Sequence, residues 1–504
     1  MSNSLQNPAF QSTEVGRIDF SLRTPGVLFI LSGAFWLLFA GISGLLAYWQ
    51  IVSPGTFESI PFLTFGRLKA VSVNALTHGW ATNAAFAMIL WIMSRLSERA
   101  PDFDLRRYFL VPAGIVYNIM ITMGILAIFW GEARPYFLLE IPANILTACS
   151  ISFVLITLWT ILDYCRRKRY TAYISQYYLL GAVFWLAWIF SIAQLIIGKN
   201  PLPGTIQMVA ATWFSHAYIW LWLVPVACAV AYYVIPKALG VSNHNYFLAF
   251  FSFWCLAFFG PWGGPAELVG GPFPVWLQNF GFVSGIVMLL IVICISTNLI
   301  LTCFQDSAKS NSESDSEESG ETTNSVWDSP SGRFIATGII VFPFFGILTA
   351  FNALKVRDND IHFTYWQDAL FYLGVYGFYS MVVLGGIYFM LPRLLGREWK
   401  SSSLMKTNFT FTVTGFLVLC VGLFWGGMAH ADALKDPEMT PMDVSFITWM
   451  PVLFSTGGFF CLILGNGAFL LNLMRTVFAC PVESSISDVS TAHMVSETEE
   501  RSNA

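Results

Sequence analysis

The chain has 504 residues, of which 56% are hydrophobic, 16% aromatic and only 11% charged, and its formal net charge is −4. A soluble protein could not bury that much apolar surface, whereas the hydrocarbon core of a bilayer requires it. The composition therefore excludes an ordinary soluble enzyme and predicts an all-α, polytopic membrane protein whose partner is the lipid bilayer. Lysines and arginines stand at the ends of apolar runs and form no fold-scale basic patch, which argues against a nucleic-acid partner. The nine cysteines are scattered without a CxxC pair, so neither a c-type heme attachment nor a disulfide framework is predicted.

Apolar runs of spanning length occur twelve times, and each predicts a transmembrane helix. The runs lie near residues 26–48, 70–94, 108–130, 139–163, 176–197, 207–235, 245–262, 277–303, 333–353, 368–391, 408–428 and 447–473. They divide the chain into a cytoplasmic leader at 1–25, helices 1–8 within 26–304 and helices 9–12 within 331–475. Because the leader is polar and the first run is long enough to span, we predict a retained helix rather than a cleaved signal.

Two segments have the composition of disordered chain. Residues 305–330 are rich in serine and acidic residues and carry no apolar repeat, so they are predicted to form a disordered cytoplasmic loop. A tolerated loop insertion and a regulatory or docking role are both open for this loop. Residues 476–504 have a similar composition and are predicted to form a disordered cytoplasmic tail.

Positive charge is concentrated in three alternate loops. Their basic residues are Arg95, Arg99, Arg106 and Arg107; Arg166, Arg167, Lys168 and Arg169; and Arg393, Arg397, Lys400 and Lys406. Loops rich in lysine and arginine stay on the cytoplasmic side of a membrane. The pattern therefore predicts that both termini are cytoplasmic.

The stretch from His362 to Pro392 resembles the tenth helix of subunit I of the heme–copper oxidases, closest to the cbb3-type cytochrome c oxidases and their nitric-oxide-reductase relatives. Thr364, Trp366 and Tyr388 match the family pattern without a gap. In that family a His-x-His pair follows, and two residues turn a helix by about 200°, so that each histidine faces a different heme. This chain has Leu370 and Tyr372 at those two positions.

The second helix carries a similar resemblance. The segment FGRLKAVSVN is similar to the family's Phe-Gly-Arg-Leu-Arg-Pro-x-His-Thr-Asn, in which the histidine binds the low-spin heme. Ser72 stands at the histidine position, and a serine is not a useful heme ligand. His78 lies six residues further on, about 240° around an ideal helix, so we predict that it does not replace the lost ligand.

The third match covers helices 6 to 8, where the family binds copper. His216 stands at the first copper-ligand position, but the family's His-His pair is replaced by Ala266 and Glu267. Gly260 occupies the position of the family's redox-active tyrosine. If the family geometry carries over, His216 and Glu267 either bind zinc or another divalent ion together with water, or form a buried hydrogen-bonded pair.

The resemblance implies heme b and copper, and the histidine content speaks against both. The six histidines of the chain are His78, His216, His244, His362, His430 and His493. Only His216 falls at a ligand position, so we predict that the chain binds no heme and no copper. Tyr372 as a phenolate ligand is an alternative to Tyr372 as a packed core residue. Leu370, Phe371, Tyr376 and Phe378 are predicted to fill part of the vacated heme volume.

Three functions are compatible with these residues. The first is a non-redox membrane subunit or scaffold of a respiratory-type complex in a prokaryotic inner membrane, beside a cytochrome c-bearing membrane subunit. The second, which the resemblance implies, is a terminal oxidase or nitric oxide reductase that passes electrons from cytochrome c to oxygen or nitric oxide. The third is transport of an ion or small molecule, and it rests on His216, Glu267 and Glu140 as polar groups at membrane depth.

Overall fold

The structure is a computed structural model that describes residues 14–98, 109–168, 170–199, 204–313, 326–354 and 361–479. These residues form twelve long helices, and the described part of the chain contains no strand. The helices are α1 Glu14–Val52, α2 65–97, α3 Val111–Trp130, α4 Ala143–Cys165, α5 Ile174–Gly198, α6 Thr205–Leu239, α7 Tyr246–Leu268, α8 Val275–Glu313, α9 Pro330–Asn352, α10 Tyr365–Leu395, α11 Ser402–Leu434 and α12 Pro441–Val477. The predicted all-α, polytopic class is confirmed, and each of the twelve predicted runs overlaps one of these helices.

Eleven of these helices are long and apolar enough to cross a membrane, and α2 is the one that does not reach that hydropathy. The most apolar windows of α6 and α10 are 94% and 100% buried, compared with 39–56% for the other nine. Helices α6 and α10 therefore form the centre of the bundle. The other spanning helices keep one apolar face exposed, as expected of helices that contact lipid.

The described residues of the three basic loops lie at one end of the bundle, which we call the basic face, and Arg99, Arg106, Arg107 and Arg169 lie outside the described residues. There Arg95 at the end of α2 forms a bidentate ion pair with Asp19 of α1, with both nitrogen–oxygen distances 2.8 Å. Lys168 after α4 pairs with Glu14, and Arg397 after α10 donates to the carbonyl of Ala479 at 2.9 Å. The other end of the bundle is called the opposite face below.

Helix α1 begins at Glu14, twelve residues before the predicted start at residue 26. The reason is tertiary, because Asp19 is fully buried and its carboxylate accepts from both Arg95 and the indole of Trp91. These contacts hold the polar first turns of α1 against α2, and Pro25 lies inside the continuous helix. The predicted leader at 1–25 is therefore partly helical.

The remaining predicted boundaries differ by smaller amounts. Helix α8 continues to Glu313, past the predicted end at residue 304, and α9 begins at Pro330. Polar residues can continue a helix outside the bilayer because its backbone hydrogen bonds are satisfied internally. Residues 314–325 of the predicted disordered loop, and residues 480–504 of the predicted tail, lie outside the described residues.

Candidate functional site

Helices α2, α6 and α10 meet at the centre of the bundle through segments of π-helix. These segments are Ala75–Ala81, Tyr218–Leu223 and Leu373–Ser380. Three hydrogen bonds join them: Trp80 Nε1 donates to Ser380 Oγ at 2.8 Å, Tyr379 Oη donates to the carbonyl of Ala81 at 2.6 Å, and the Thr82 and Tyr218 hydroxyls lie 2.9 Å apart. Wide turns of this kind are frequent at functional sites, so this junction is a candidate for one.

Ser72, at the position of the low-spin heme ligand, lies in a packed contact with α1 and α12. Its Oγ donates to the carbonyl of Ala40 at 2.8 Å. A methyl group added to Gly44 would lie 2.5 Å from the ring of Phe459 and 2.9 Å from Ser72 Oγ. The side chains of Ser72 and Phe459 are 1% and 0% exposed. The ring of Phe459 therefore lies beside Ser72 with no spare volume at Gly44.

Tyr372, at one of the two ligand positions of α10, packs against the same aromatic ring. The ring centroids of Tyr372 and Phe459 are 5.4 Å apart with an interplanar angle of 88°. Tyr48 of α1 contacts Phe459 from another direction, with centroids 5.2 Å apart. We call these three rings and Ser72 the aromatic plug. It occupies the space between α1, α2, α10 and α12.

Two of the side chains predicted to fill the heme volume point elsewhere. Phe378 stacks on Phe342 of α9 with ring centroids 4.0 Å apart, and Phe371 contacts Phe137 at 5.3 Å. The structure instead uses Phe459 and Tyr48 for the plug. Sequence reasoning missed both because they lie on α12 and α1, far from the motifs that carry the resemblance.

The plug is closed on the opposite face by an ion pair. Lys69 Nζ lies 2.7 Å from Oδ2 of Asp368, and Tyr48 Oη donates to the same oxygen at 2.8 Å. Asp368 is two residues before Leu370, within the first turn of α10. A carboxylate in that position, opposite a lysine in α2, is a signal that the sequence contains.

Glu140 lies near the ion pair of Lys69 and Asp368, in the loop between α3 and α4. Asn74 Nδ2 donates to its Oε2 at 2.9 Å. Burial raises the pKa of the Glu140 carboxyl from 4.5 to about 7, and the hydrogen bond from Asn74 and the charge of Lys69 act in the opposite direction. The carboxyl therefore changes its charge near neutral pH.

His78 lies in the π-helical segment of α2, on a different side from Ser72. Its Nε2 is 2.9 Å from the carbonyl oxygen of Leu138, and its ring packs on Phe190 and Tyr218. Ser72 instead contacts α1. His78 is thus held in a separate environment from the aromatic plug.

The region corresponding to the copper pocket is closed by a tight turn. Two short 3₁₀ segments, Gly260–Trp262 and Gly264–Leu268, follow the straight part of α7. A methyl group on Gly264 would lie 2.5 Å from the carbonyl oxygen of Thr212 in α6. A methyl group on Gly263 would overlap the imidazole of His216. The missing side chains let this turn lie directly on α6, at His216.

The structure does not join His216 to Glu267 by a hydrogen bond through Nε2. His216 Nε2 is buried and has no hydrogen-bond partner in the described part of the chain. Trp220, one turn further along α6, stacks on Phe345 of α9 with ring centroids 5.2 Å apart. Ala266 is also buried, with its backbone against Gly281 of α8. Among the described residues, no three His, Cys, Asp or Glu side chains are close enough together to hold a metal ion.

Comparison with known proteins identifies the scaffold. The chain matches the family described as Cytochrome C and Quinol oxidase polypeptide I over residues 24–460. The chain belongs to that family. The subunit I fold and the resemblance drawn from the helix motifs are thereby confirmed.

Curated relatives agree with the family match. The chain is 24% identical over 423 residues to the "Cytochrome c oxidase subunit 1 homolog" of Azorhizobium caulinodans, covering 78% of this chain and 70% of the relative. It is 22% identical over 395 residues to the "Cbb3-type cytochrome c oxidase subunit CcoN1" of Stutzerimonas stutzeri, covering 76% of this chain and 78% of the relative. A match to "Cytochrome c oxidase subunit 1" of Thermus thermophilus is 24% identical over 279 residues and covers 50% of this chain and 47% of the relative.

The cofactors that this oxidase family implies do not fit the side chains present. The Ser72 hydroxyl donates a hydrogen bond to a backbone carbonyl of α1, and Leu370 has no lone pair to offer a metal. Tyr372 packs edge-on against Phe459. Heme iron requires imidazole, thiolate, thioether or phenolate ligands, and copper in this setting requires several imidazoles. His216 is the one histidine at a ligand position, and its neighbours Ala266 and Gly263 supply no donor side chain. No reaction step through heme or copper follows from this site.

Proposed function

We propose that this oxidase-family chain is a ligand-depleted, non-redox membrane subunit that acts as a scaffold in a respiratory-type complex. The aromatic plug is the observation that carries the proposal. It occupies the space between Ser72 and Tyr372, at the positions where the family resemblance implies a heme. We further propose that the basic face is cytoplasmic and that the membrane is a bacterial plasma membrane, in keeping with the relatives and the positive-inside rule.

The packing supports replacement of the cofactor rather than an empty site. Protein interiors are close-packed, so a volume vacated by a large cofactor is either refilled by side chains or becomes a cavity that costs stability. Phe459 and Tyr48 refill it here, and Lys69 pairs with Asp368 at the edge of the aromatic plug. A chain that still bound heme would need this volume for the porphyrin. The rings of Phe459, Tyr48 and Tyr372 instead pack against one another, although the Tyr372 hydroxyl has no hydrogen-bond partner among the described residues.

The copper region supports the same proposal by its donor set. His216 alone supplies one imidazole, and the turn at Gly263 and Gly264 lies where the remaining ligands would have to reach. Of the two roles predicted for His216 and Glu267, a divalent site would need ligands from water or from a partner chain. We therefore propose His216 as a packed core residue in this subunit.

The alternative is an active terminal oxidase or nitric oxide reductase subunit with unusual ligands. Membership of the family favours the oxidase interpretation, because the relatives are named as cytochrome c oxidase subunits or their homologues. A shared fold supports many functions, and the chemistry depends on the residues of the site. This alternative requires heme iron to find ligands within the plug.

An absorption spectrum of the purified chain, oxidised and dithionite-reduced, tests the proposal. A pyridine hemochromogen assay and metal analysis are made on the same sample, and the Stutzerimonas stutzeri relative is expressed and purified in parallel as the control for heme supply. We expect no Soret band and no copper above background from this chain. One or two hemes per chain would overturn the proposal and favour the oxidase.

The proposed partner is tested separately. The tagged chain is purified from its native membrane under mild conditions, and co-purifying proteins are stained for covalently bound heme and identified by mass spectrometry. A scaffold role predicts a cytochrome c-bearing membrane subunit in a fixed ratio to the chain. Recovery of the chain alone, under conditions that keep a control respiratory complex intact, would contradict the scaffold role.

A further inference from the structure

A large cleft with an amphipathic lining opens on the basic face, away from the aromatic plug. It has a volume of 1210 Å³ and lies where α2, α4 and α6 end and where α5 and α7 begin. Arg95, Arg167 and Lys237 bring positive charge to its walls, and Glu98 is the acidic residue among them. Six tyrosines complete much of the lining: Tyr164, Tyr170, Tyr173, Tyr177, Tyr233 and Tyr246.

Three polar atoms in this cleft are buried without a hydrogen-bond partner in the described part of the chain. They are Nε of Arg167, Nε2 of Gln176 and Oδ1 of Asn243. Gln176 is only 1% exposed, and its Oε1 is held by the backbone N–H of Tyr173 at 3.0 Å. Its amide group is therefore fixed, and its N–H donors have no acceptor. An unsatisfied buried group costs about 1–3 kcal/mol, so the two donors, Arg167 Nε and Gln176 Nε2, indicate a ligand that accepts hydrogen bonds, whereas Asn243 Oδ1 needs a separate donor.

The guanidinium of Arg167 is rigidly placed for such a ligand. Its terminal nitrogens donate to the carbonyls of Tyr164 at 2.9 Å and Tyr170 at 2.8 Å, and its carbon lies 4.0 Å from the Tyr164 ring centroid. Arg95 is neutralised by Asp19, but neither Arg167 nor Lys237 has a carboxylate within ion-pair distance in the described residues. The positive charges of Arg167 and Lys237, together with the unpaired donors Arg167 Nε and Gln176 Nε2 on residues that line the cleft, match a group with several anionic oxygens.

The position of the cleft identifies where that group comes from. It lies at the ends of membrane-spanning helices, and tyrosines are typical of the level at which lipid headgroups lie. Its volume exceeds that needed for a phosphate alone and leaves room for a glycerol backbone beside the tyrosine rings. Basic pockets between helices on the cytoplasmic side are suited to anionic headgroups.

We propose that this cleft binds the phosphate headgroup of an anionic phospholipid, with Arg167, Lys237 and Gln176 as the groups that contact it. The site lies away from the aromatic plug and does not depend on whether the chain is a non-redox subunit or an oxidase. Bound lipid would tie α4, α5 and α6 together at the membrane surface, because these helices supply the three contacting residues or lie next to them.

Binding is measured with the full-length chain in detergent, stripped of lipid, by native mass spectrometry and thermal unfolding. The probes are phosphatidylglycerol, zwitterionic phosphatidylcholine and inorganic phosphate. We expect phosphatidylglycerol to bind and to raise the unfolding temperature, with little effect from the other two. An equal effect of inorganic phosphate would overturn the lipid assignment in favour of a soluble phosphate compound, and an equal effect of phosphatidylcholine would overturn the requirement for an anionic headgroup.

Two variants test the residues. The double variant Arg167→Gln/Lys237→Gln removes the unpaired cations, and we expect it to weaken phosphatidylglycerol binding at least about tenfold. Gln176→Glu keeps the oxygen that accepts from Tyr173, so the helix start is preserved, but it replaces the free N–H donors with a negative charge and should weaken binding similarly.

The matched control is Arg475→Gln, which removes an exposed arginine from the last turn of α12 on the same face but outside the cleft. Its affinity for phosphatidylglycerol should equal that of the unmodified chain. Undiminished binding by both cleft variants, with normal unfolding in the absence of lipid, would refute the site.

Discussion

Lys69 and Asp368 lie 2.7 Å apart and join α2 to α10 at the edge of the aromatic plug. The same carboxylate oxygen accepts from Tyr48 at 2.8 Å, so three helices meet at one atom. The side chains of Lys69 and Asp368 are 31% and 15% exposed. The pair is therefore partly shielded from water. Lys69 neutralises the carboxylate of Asp368, which would otherwise be an unpaired charge in the first turn of the buried helix α10.

Removal of one partner of this pair should destabilise the bundle. Lys69→Met keeps most of the apolar stem of the side chain but leaves Asp368 with Tyr48 alone, and we expect a loss of about 1–3 kcal/mol in the free energy of unfolding. The double variant Lys69→Met/Asp368→Leu should recover part of that loss, because no uncompensated charge is left. Unfolding of the detergent-purified variants is the measurement. Additive losses in the double variant would show that the two side chains are not coupled.

The aromatic plug should tolerate no added volume at Gly44. Gly44→Ala places a methyl group 2.5 Å from the Phe459 ring, so a packed side chain must shift, and we expect a loss of about 1–3 kcal/mol. Gly457→Ala is the matched control, because a methyl group there meets nothing within 4 Å. Thermal unfolding compares the two. Equal stability of both variants would mean that the space around Phe459 is not tightly filled.

Restored histidines should not restore heme binding while the plug is present. We expect the double variant Ser72→His/Tyr372→His to purify without stoichiometric heme, since the rings of Phe459 and Tyr48 still occupy the space between the two positions. The pyridine hemochromogen assay is the measurement, with cells supplied with a heme precursor. A full complement of heme in this variant would show that the plug yields easily and that ligand loss alone separates this chain from its relatives.

Glu140 should make the stability of the chain depend on pH below neutrality. Its pKa is raised to about 7 in the folded state, compared with 4.5 in the unfolded chain, so the folded state favours the protonated carboxyl. The contribution is fully present below about pH 4.5, is lost as the pH rises to about 7, and is on the order of 3 kcal/mol. Glu140→Gln should flatten this part of the profile.

The measurement is the unfolding temperature of the unmodified chain and of Glu140→Gln between pH 4.5 and 8. Glu438→Gln, which removes an exposed carboxyl from a loop on the opposite face, serves as the control and should follow the unmodified chain. A profile of Glu140→Gln that keeps the full slope would assign the pH dependence to other groups.

The fold could be predicted because its signals are local. Spanning apolar runs define the helices, and the motif around Trp366 and Pro392 identified α10 as the organising helix. The loss of ligand side chains at Ser72, Leu370 and Tyr372 was also visible, because the residue type at a given position can be read without knowledge of the tertiary structure. The start of α1 was missed because Asp19 is stabilised by Arg95, a residue 76 positions away.

What replaces the ligands could not be predicted in the same way. Phe459 reaches Tyr372 and Gly44 from α12, and no periodicity indicates which aromatic residue of a helix enters a particular volume. The π-helical segments were also missed, because a single wide turn leaves no distinctive composition, and they alter the angle between Ser72 and His78 that an ideal helix would give. The His216–Glu267 pairing was reasoned from family geometry, whereas the turn at Gly263 presents backbone to Nε2 of His216.

The composition of α2 has a consequence for how the protein is made. This helix is the one of the twelve that lacks the hydropathy of a spanning segment, and its polar ends find partners in other helices. Arg95 meets Asp19 of α1, which has already been synthesised, but Lys69 meets Asp368, which is 299 residues downstream. During synthesis Lys69 of α2 therefore lacks its partner until α10 has been made. Biogenesis of this chain should depend on the membrane insertion machinery to shelter α2 through most of translation.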